Sequence, residues 1–188
     1  MDGFKQFANG KKLVICDVQP AYAKNIHFMD EFANFINEYQ DILVLFNGPD
    51  LGMDRKMDIG NWYLRNKVPR QKILNMKWHE KNYGFFRDAM DSCWARESII
   101  RIVRFMVYKK YTDIRQCTKQ DVKRIGVDEL VFKNIENHFI GIPDLRWVLP
   151  KWNNADICGG GFNECLDEVL ILAEALRLNL NIVHQFVY

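Results

Sequence analysis

Patterned cysteine is missing from this chain. Its five cysteines (Cys16, Cys93, Cys117, Cys158 and Cys165) are odd in number, and none stands in a C-x-x-C pair. Neither a disulfide framework nor a zinc ribbon fits that pattern. The phosphate-binding signatures G-x-G-x-x-G and G-x-x-x-x-G-K-[ST] are absent, so no dinucleotide or P-loop chemistry is indicated. His27, His79, His138 and His184 have no metal-ligand spacing. No apolar run approaches the roughly 20 residues a bilayer requires. The start, Met1-Asp2-Gly3-Phe4-Lys5, lacks a basic segment followed by an apolar one. These absences lead to the expectation of a cytoplasmic protein with reduced thiols and no membrane partner. Charge of one sign is also scarce: the formal net charge is +2, so overall electrostatics demand no polyanionic partner. Repeats, low-complexity tracts and linkers are lacking, and 188 residues at 48% hydrophobic are read as a single domain spanning 1–188.

What is present alternates in type. Leu13-Val14-Ile15-Cys16 is an unbroken apolar run ending at Asp17, as in a strand buried on both faces. Apolar residues at helical spacing over His27 to Tyr39 predict a helix, and Ile42 to Phe46 predicts a second buried strand, stopped by Asn47-Gly48-Pro49-Asp50. A helix is predicted over Asp54 to Asn66 and a strand over Ile73 to Trp78. Helical pieces are expected at 96–108, 119–125, 127–135 and 143–147, then a strand over Asn154 to Cys158, a helix over Asn163 to Leu178 and a closing strand over Asn181 to Tyr188. This order predicts a single-domain, Rossmann-like three-layer α/β fold with a mostly parallel sheet and helices on both faces. Charge is uneven only around 94–126, read as a divergent basic helical insert. There nine Lys/Arg between Arg96 and Arg124 face Glu97, Asp113 and Asp121. A solvated helix face is the expected reading, with nucleic-acid binding left open.

In such sheets ligands bind beyond the C-terminal ends of the strands. Asp17, Asn47 to Asp50 and the segment Gly159-Gly160-Gly161-Phe162-Asn163-Glu164-Cys165 are thereby delivered to one edge. The last segment reads as strand, glycine turn and helix, with Cys165 in the first turn behind an Asn163 cap. A helix N-terminus favours a thiolate, whereas Glu164 and Asp167 oppose it. Cys16 and Cys158, within predicted strands, are read as core.

Two segments carry a resemblance. Val14-Ile15-Cys16-Asp17-Val18-Gln19-Pro20-Ala21-Tyr22 resembles the opening strand and D-x-Q-x-x-[F/Y] motif of the isochorismatase-like cysteine hydrolases, and Ile157 to Leu166 is similar to their strand, Gly turn and C-[VL] pair. The resemblance implies Asp17 as general base, Cys165 as nucleophile and amides of the Gly turn as oxyanion hole. It also implies a lysine between them: Lys81, in Lys81-Asn82-Tyr83-Gly84-Phe85-Phe86, or Lys109. Gln19, Asn47, Tyr83, Gly160 and Gly161 are the expected substrate contacts. The metal-binding D-x-H segment of nicotinamidase-like members has no counterpart, so no metal and no cofactor are expected. Phe162 stands where the family often has Thr. The ending Gly-Gly-Gly-Phe-Asn-Glu-Cys-Leu-Asp-Glu is also similar to bacteriophage proteins.

Three functions are weighed. The first is a hydrolase of a small amide or related substrate, using Asp17, Lys81 and Cys165. The second is a catalytically inactive binding domain of the same fold. The third is a Mg-dependent nuclease gathering Asp17, Asp50, Glu164 and Asp167, with the basic stretch holding phosphates. A small-molecule partner is expected, and homo-oligomerisation is left open.

Overall fold

The computed structural model describes residues 12–81, 96–138, 144–161 and 164–188. Five strands, β1 (Lys12–Cys16), β2 (Asp41–Asn47), β3 (Lys77–Lys81), β4 (Ala155–Gly159) and β5 (Leu180–Ile182), form one sheet in the order β3-β2-β1-β4-β5. Every pairing is parallel. The helices are α1 (Met29–Asn37), α2 (Lys56–Arg65), α3 (Arg70–Asn75), α4 (Arg96–Lys109), α5 (Lys119–Ile125), α6 (Glu129–His138), α7 (Leu145–Val148) and α8 (Cys165–Ala175). The protein is thus an α/β fold with a parallel sheet between two helical layers.

The central strands explain the layering. Leu13 to Cys16 are all fully buried, because β1 lies between β2 and β4 and both of its faces are covered. Alternation along the strands sorts their side chains. Val14, Cys16, Leu43, Leu45 and Ile157 pack with Ile99, Val103 and Met106 of α4 and with Leu166 and Val169 of α8. Leu13, Ile15, Val44, Phe46 and Cys158 pack with Phe32 and Ile36 of α1 and Ile59 and Tyr63 of α2. Helix α4 of the basic stretch is therefore part of one covering layer, and three of the stretch's arginines are paired with carboxylates. Arg96 pairs with Glu174 at 2.9 Å and Asp167 at 3.4 Å, Arg101 with Glu97 at 3.0 Å, and Arg115 with Asp113.

Two expected strands differ. Residues 73–75 belong to α3, which starts right after Pro69 and leaves only Lys77–Lys81 to pair with β2. Pro suits a helix start, and the polar Lys-Trp-His-Glu-Lys run suits an edge strand that lacks a continuous apolar signal. The closing strand stops at Ile182. A 3₁₀ turn over His184–Phe186 then drops Phe186 into the core against Phe35, with ring centroids 4.3 Å apart. Burying that ring outweighs further edge pairing.

The connection after β1 runs to β2 on one side, and the late strands β4 and β5 add on the other. Strand order therefore reverses between β1 and β4, which opens a crevice at their C-terminal ends. Among the described residues no helix is long and apolar enough to cross a membrane.

Candidate active site

Three strand ends meet at that crevice. Asp17 follows β1 directly, adopts φ +50° and donates its backbone N–H to the Leu45 carbonyl at 2.9 Å. Aspartate is among the few non-glycine residues that tolerate this region. Lys81 ends β3 beside Asn47 of β2. The register aligns Cys16 with Leu45 and Leu45 with His79, so Lys81, two residues beyond, shares the face of Cys16. Its side chain crosses the end of β2 and its ammonium pairs with Asp17 Oδ2. Asp17 is fully buried and Lys81 only 4% exposed. Burial works against the Lys81 charge, but Asp17, with Cys16 and Cys165 nearby, more than reverses it and holds the ammonium well above the ordinary lysine range. Asp17 Oδ1 is buried and has no hydrogen-bond partner among the described residues.

β4 delivers the third component. Gly159 lies opposite Cys16 with φ +78°, and a Cβ there would fall 2.2 Å from the Cys16 carbonyl oxygen. Only glycine permits this close approach. Gly160, at φ +68°, is held against the backbone of Leu166. The chain then enters α8, whose first residue is Cys165, with Glu164 at the cap position. Phe162 and Asn163, the expected cap, lie outside the described residues.

Cys165 is partly exposed and sits beside the ion pair. Its thiol is pushed up to about 12: burial is the largest cause, Lys81 pulls the other way, and the Asp17 carboxylate and Glu168 add to the rise. Asp167, expected to oppose the thiolate, is instead engaged with Arg96. The resting group is a protonated thiol facing a buried carboxylate, which needs a base before it can attack.

The remaining expected residues divide. Gln19 is fully buried and its amide is committed: Nε2 donates to the Asn47 carbonyl and Asp54 Oδ2, both at 3.1 Å, and Oε1 accepts the Asn47 N–H at 2.9 Å. It ties the loop after β1 to the end of β2. Asn47 Nδ2 donates to Tyr22 Oη at 3.0 Å. Gly160 accepts the Tyr188 N–H at 3.1 Å, and Gly161 is buried in the turn. Tyr83 lies outside the described residues. Of the two lysines, Lys109 stands at the end of α4 over the Phe105 ring, and Lys81 is the one at Asp17.

Two further residues were not anticipated. Tyr188 donates its hydroxyl to the Asp17 carbonyl at 3.0 Å, and its ring lies 6.1 Å from that of Tyr22. Burial raises both phenols, with Asp17 and Cys165 adding to the effect. Tyr22 was visible as the last position of the D-x-Q-x-x-[F/Y] motif; nothing in sequence spacing points to Tyr188. Cys16, read as core, is fully buried yet lies against the ion pair.

The carboxylates offered as magnesium ligands do not converge. Asp17 is engaged by Lys81 and Asp167 by Arg96, and among the described residues no group of three or more His, Cys, Asp or Glu is arranged to hold a metal ion. Set against known proteins, the chain matches no protein-family model, no curated protein and no solved structure.

Proposed function

We propose that this protein is a cysteine hydrolase of a small amide or related substrate, working in the manner of the isochorismatase-like enzymes it resembles. The observation that carries the proposal is the convergence, from three separate strand ends, of a buried Asp17–Lys81 pair, whose second carboxylate oxygen has no partner among the described residues, and the thiol that opens α8. Asp17 takes the Cys165 proton as the sulfur attacks the amide carbonyl. Lys81 compensates the thiolate as it forms, and backbone N–H groups of the Gly turn receive the oxyanion, each donor being worth about 3 kcal/mol. Collapse breaks the C–N bond, and Asp17 returns the proton to the leaving amine. A water deprotonated by Asp17 then attacks the thioester, releasing the acid and restoring the thiol.

The binding-domain reading draws on the burial of Cys165, which pushes the thiol up and disfavours the thiolate. A panel of small amides, followed by amine release and by mass spectrometry of Cys165, separates the two. A hydrolase shows an acyl adduct on Cys165 and loses at least about a thousandfold of its turnover in Cys165→Ala. Amides that bind by calorimetry without adduct or release overturn the hydrolase and leave the binding domain. Iodoacetamide supplies a substrate-free control, its rate at Cys165 climbing past the usual thiol pKa of 9.0 without a plateau.

A further inference from the structure

Cys16 is the buried nucleophilic group that the proposed mechanism leaves unused, and its contacts are not those of inert core. The Lys81 ammonium donates to Cys16 Sγ at 3.8 Å. The same sulfur lies 3.6 Å from Asp17 Oδ2 and 3.6 Å from the backbone carbonyl oxygen of Cys165. One side chain at the end of β1 therefore touches all three residues of the cluster. An aliphatic residue at this strand position would satisfy the apolar packing equally well, but it would leave an ammonium N–H without an acceptor.

We propose that Cys16 is a positioning residue: its sulfur occupies one N–H of Lys81 and shares Asp17 Oδ2, so that a remaining ammonium N–H is turned toward Cys165 and Oδ1 is kept as the oxygen that takes the Cys165 proton. This rests on the hydrolase reading above and adds a fourth side chain to it. Burial, together with the Asp17 charge beside it, holds the Cys16 thiol well above its ordinary range. It stays neutral, and so does not compete with Cys165 for the Lys81 charge. Its S–H has two acceptors within reach, the Asp17 carboxylate and the first carbonyl of α8, so it also couples the strand carrying the base to the helix carrying the nucleophile.

The test is the rate of iodoacetamide alkylation at Cys165, read from the Cys165 peptide by mass spectrometry, from about pH 7 to about pH 10. Cys16→Val keeps the shape and removes the polar sulfur. It is expected to slow Cys165 about tenfold near pH 8 and move the profile to higher pH, because a loosened ammonium stabilises the thiolate less. Cys16→Ser, which keeps a donor and an acceptor, stays within about threefold of wild type. Thermal melts establish that each variant is folded; if Cys16→Val is not, Cys16→Ala carries the same comparison against Cys16→Ser. A folded Cys16→Val or Cys16→Ala whose profile overlays wild type overturns the proposal, as does a Ser variant no better than its apolar counterpart.

Two controls separate this outcome from failure of the underlying reading. Asp17→Asn should speed alkylation, since the remaining Lys81 charge then acts on the thiol unopposed, and Lys81→Met should slow it. If these two move the profile in opposite directions while Cys16→Val does not move it, only the role of Cys16 falls. If neither moves it, the cluster itself is not coupled to Cys165 and the hydrolase reading falls as well.

Discussion

The sheet buries two carboxylates, and their surroundings are opposites. Asp156, in β4, is 5% exposed and has a neutral donor on each oxygen: the Tyr39 hydroxyl on Oδ2 at 2.7 Å and Asn181 Nδ2 on Oδ1 at 2.8 Å. Burial, then the hydrogen bond to Asp156, raises the Tyr39 phenol far above its ordinary range, so it remains a donor. Asp17, fully buried at the C-terminal edge, has a cation on one oxygen and, among the described residues, no partner on the other. The first arrangement is an internal strut that ties the end of α1 to β4 and β5. The second leaves a buried acceptor available for a proton. Buried polar groups are ordinarily satisfied, so the unsatisfied one marks where chemistry is expected.

The sharpest way to break this contrast is to remove the cation. Lys81→Met leaves Asp17 buried without compensation and should destabilise the fold by about 3–5 kcal/mol in urea denaturation. Adding Asp17→Leu to Lys81→Met should recover much of the loss, because it removes the uncompensated charge. A Lys81→Met protein as stable as wild type at neutral pH would mean that the pair carries little of the site's electrostatics.

The strut end should respond differently. Tyr39→Phe removes the donor to Asp156 Oδ2 and should cost about 1–3 kcal/mol, the range for a buried acceptor left unpaired. Alkylation of Cys165 should be unchanged in this variant, because Tyr39 touches the strut and not the crevice. A change in Cys165 reactivity comparable to that of Lys81→Met would show that the two carboxylates are one coupled system.

How far the sequence alone reached follows the same physical line. β1 and β2 are readable because strands buried on both faces spell continuous apolar runs, and β4 because it is short and mostly small or apolar; Asp17 and the glycine turn stand where β1 and β4 end. β3 is an edge strand, Lys-Trp-His-Glu-Lys, with no such run. Its register against β2 is what places Lys81 opposite Asn47, and this left the choice between Lys81 and Lys109 open until the sheet was in view. Cys16 read correctly as buried, but burial does not tell which neighbours a thiol meets; that depends on Lys81 crossing β2. Tyr188 and the Tyr39–Asp156–Asn181 set are contacts between segments far apart in the chain, for which local periodicity carries no signal. The thiol's proton affinity was left open for a related reason. The helix terminus and the acidic neighbours are visible in sequence, whereas the burial that raises the thiol belongs to the packed fold.

The smallest effect is expected at the outer oxygen of the strut. Asn181 is exposed on β5, the edge strand, and its bond to Asp156 Oδ1 is only partly buried. In Asn181→Ala, water at the sheet edge can take over the vacated acceptor, so the cost should be about 0.5–1 kcal/mol, below that of Tyr39→Phe. That difference matters for the comparison, since Asp17 Oδ1 also has no donor among the described residues but lies in a fully buried side chain. If denaturation shows Asn181→Ala to be as costly as Tyr39→Phe, both oxygens of Asp156 are sealed from water. The distinction between the two carboxylates would then rest on the Lys81 charge alone rather than on access to an open acceptor.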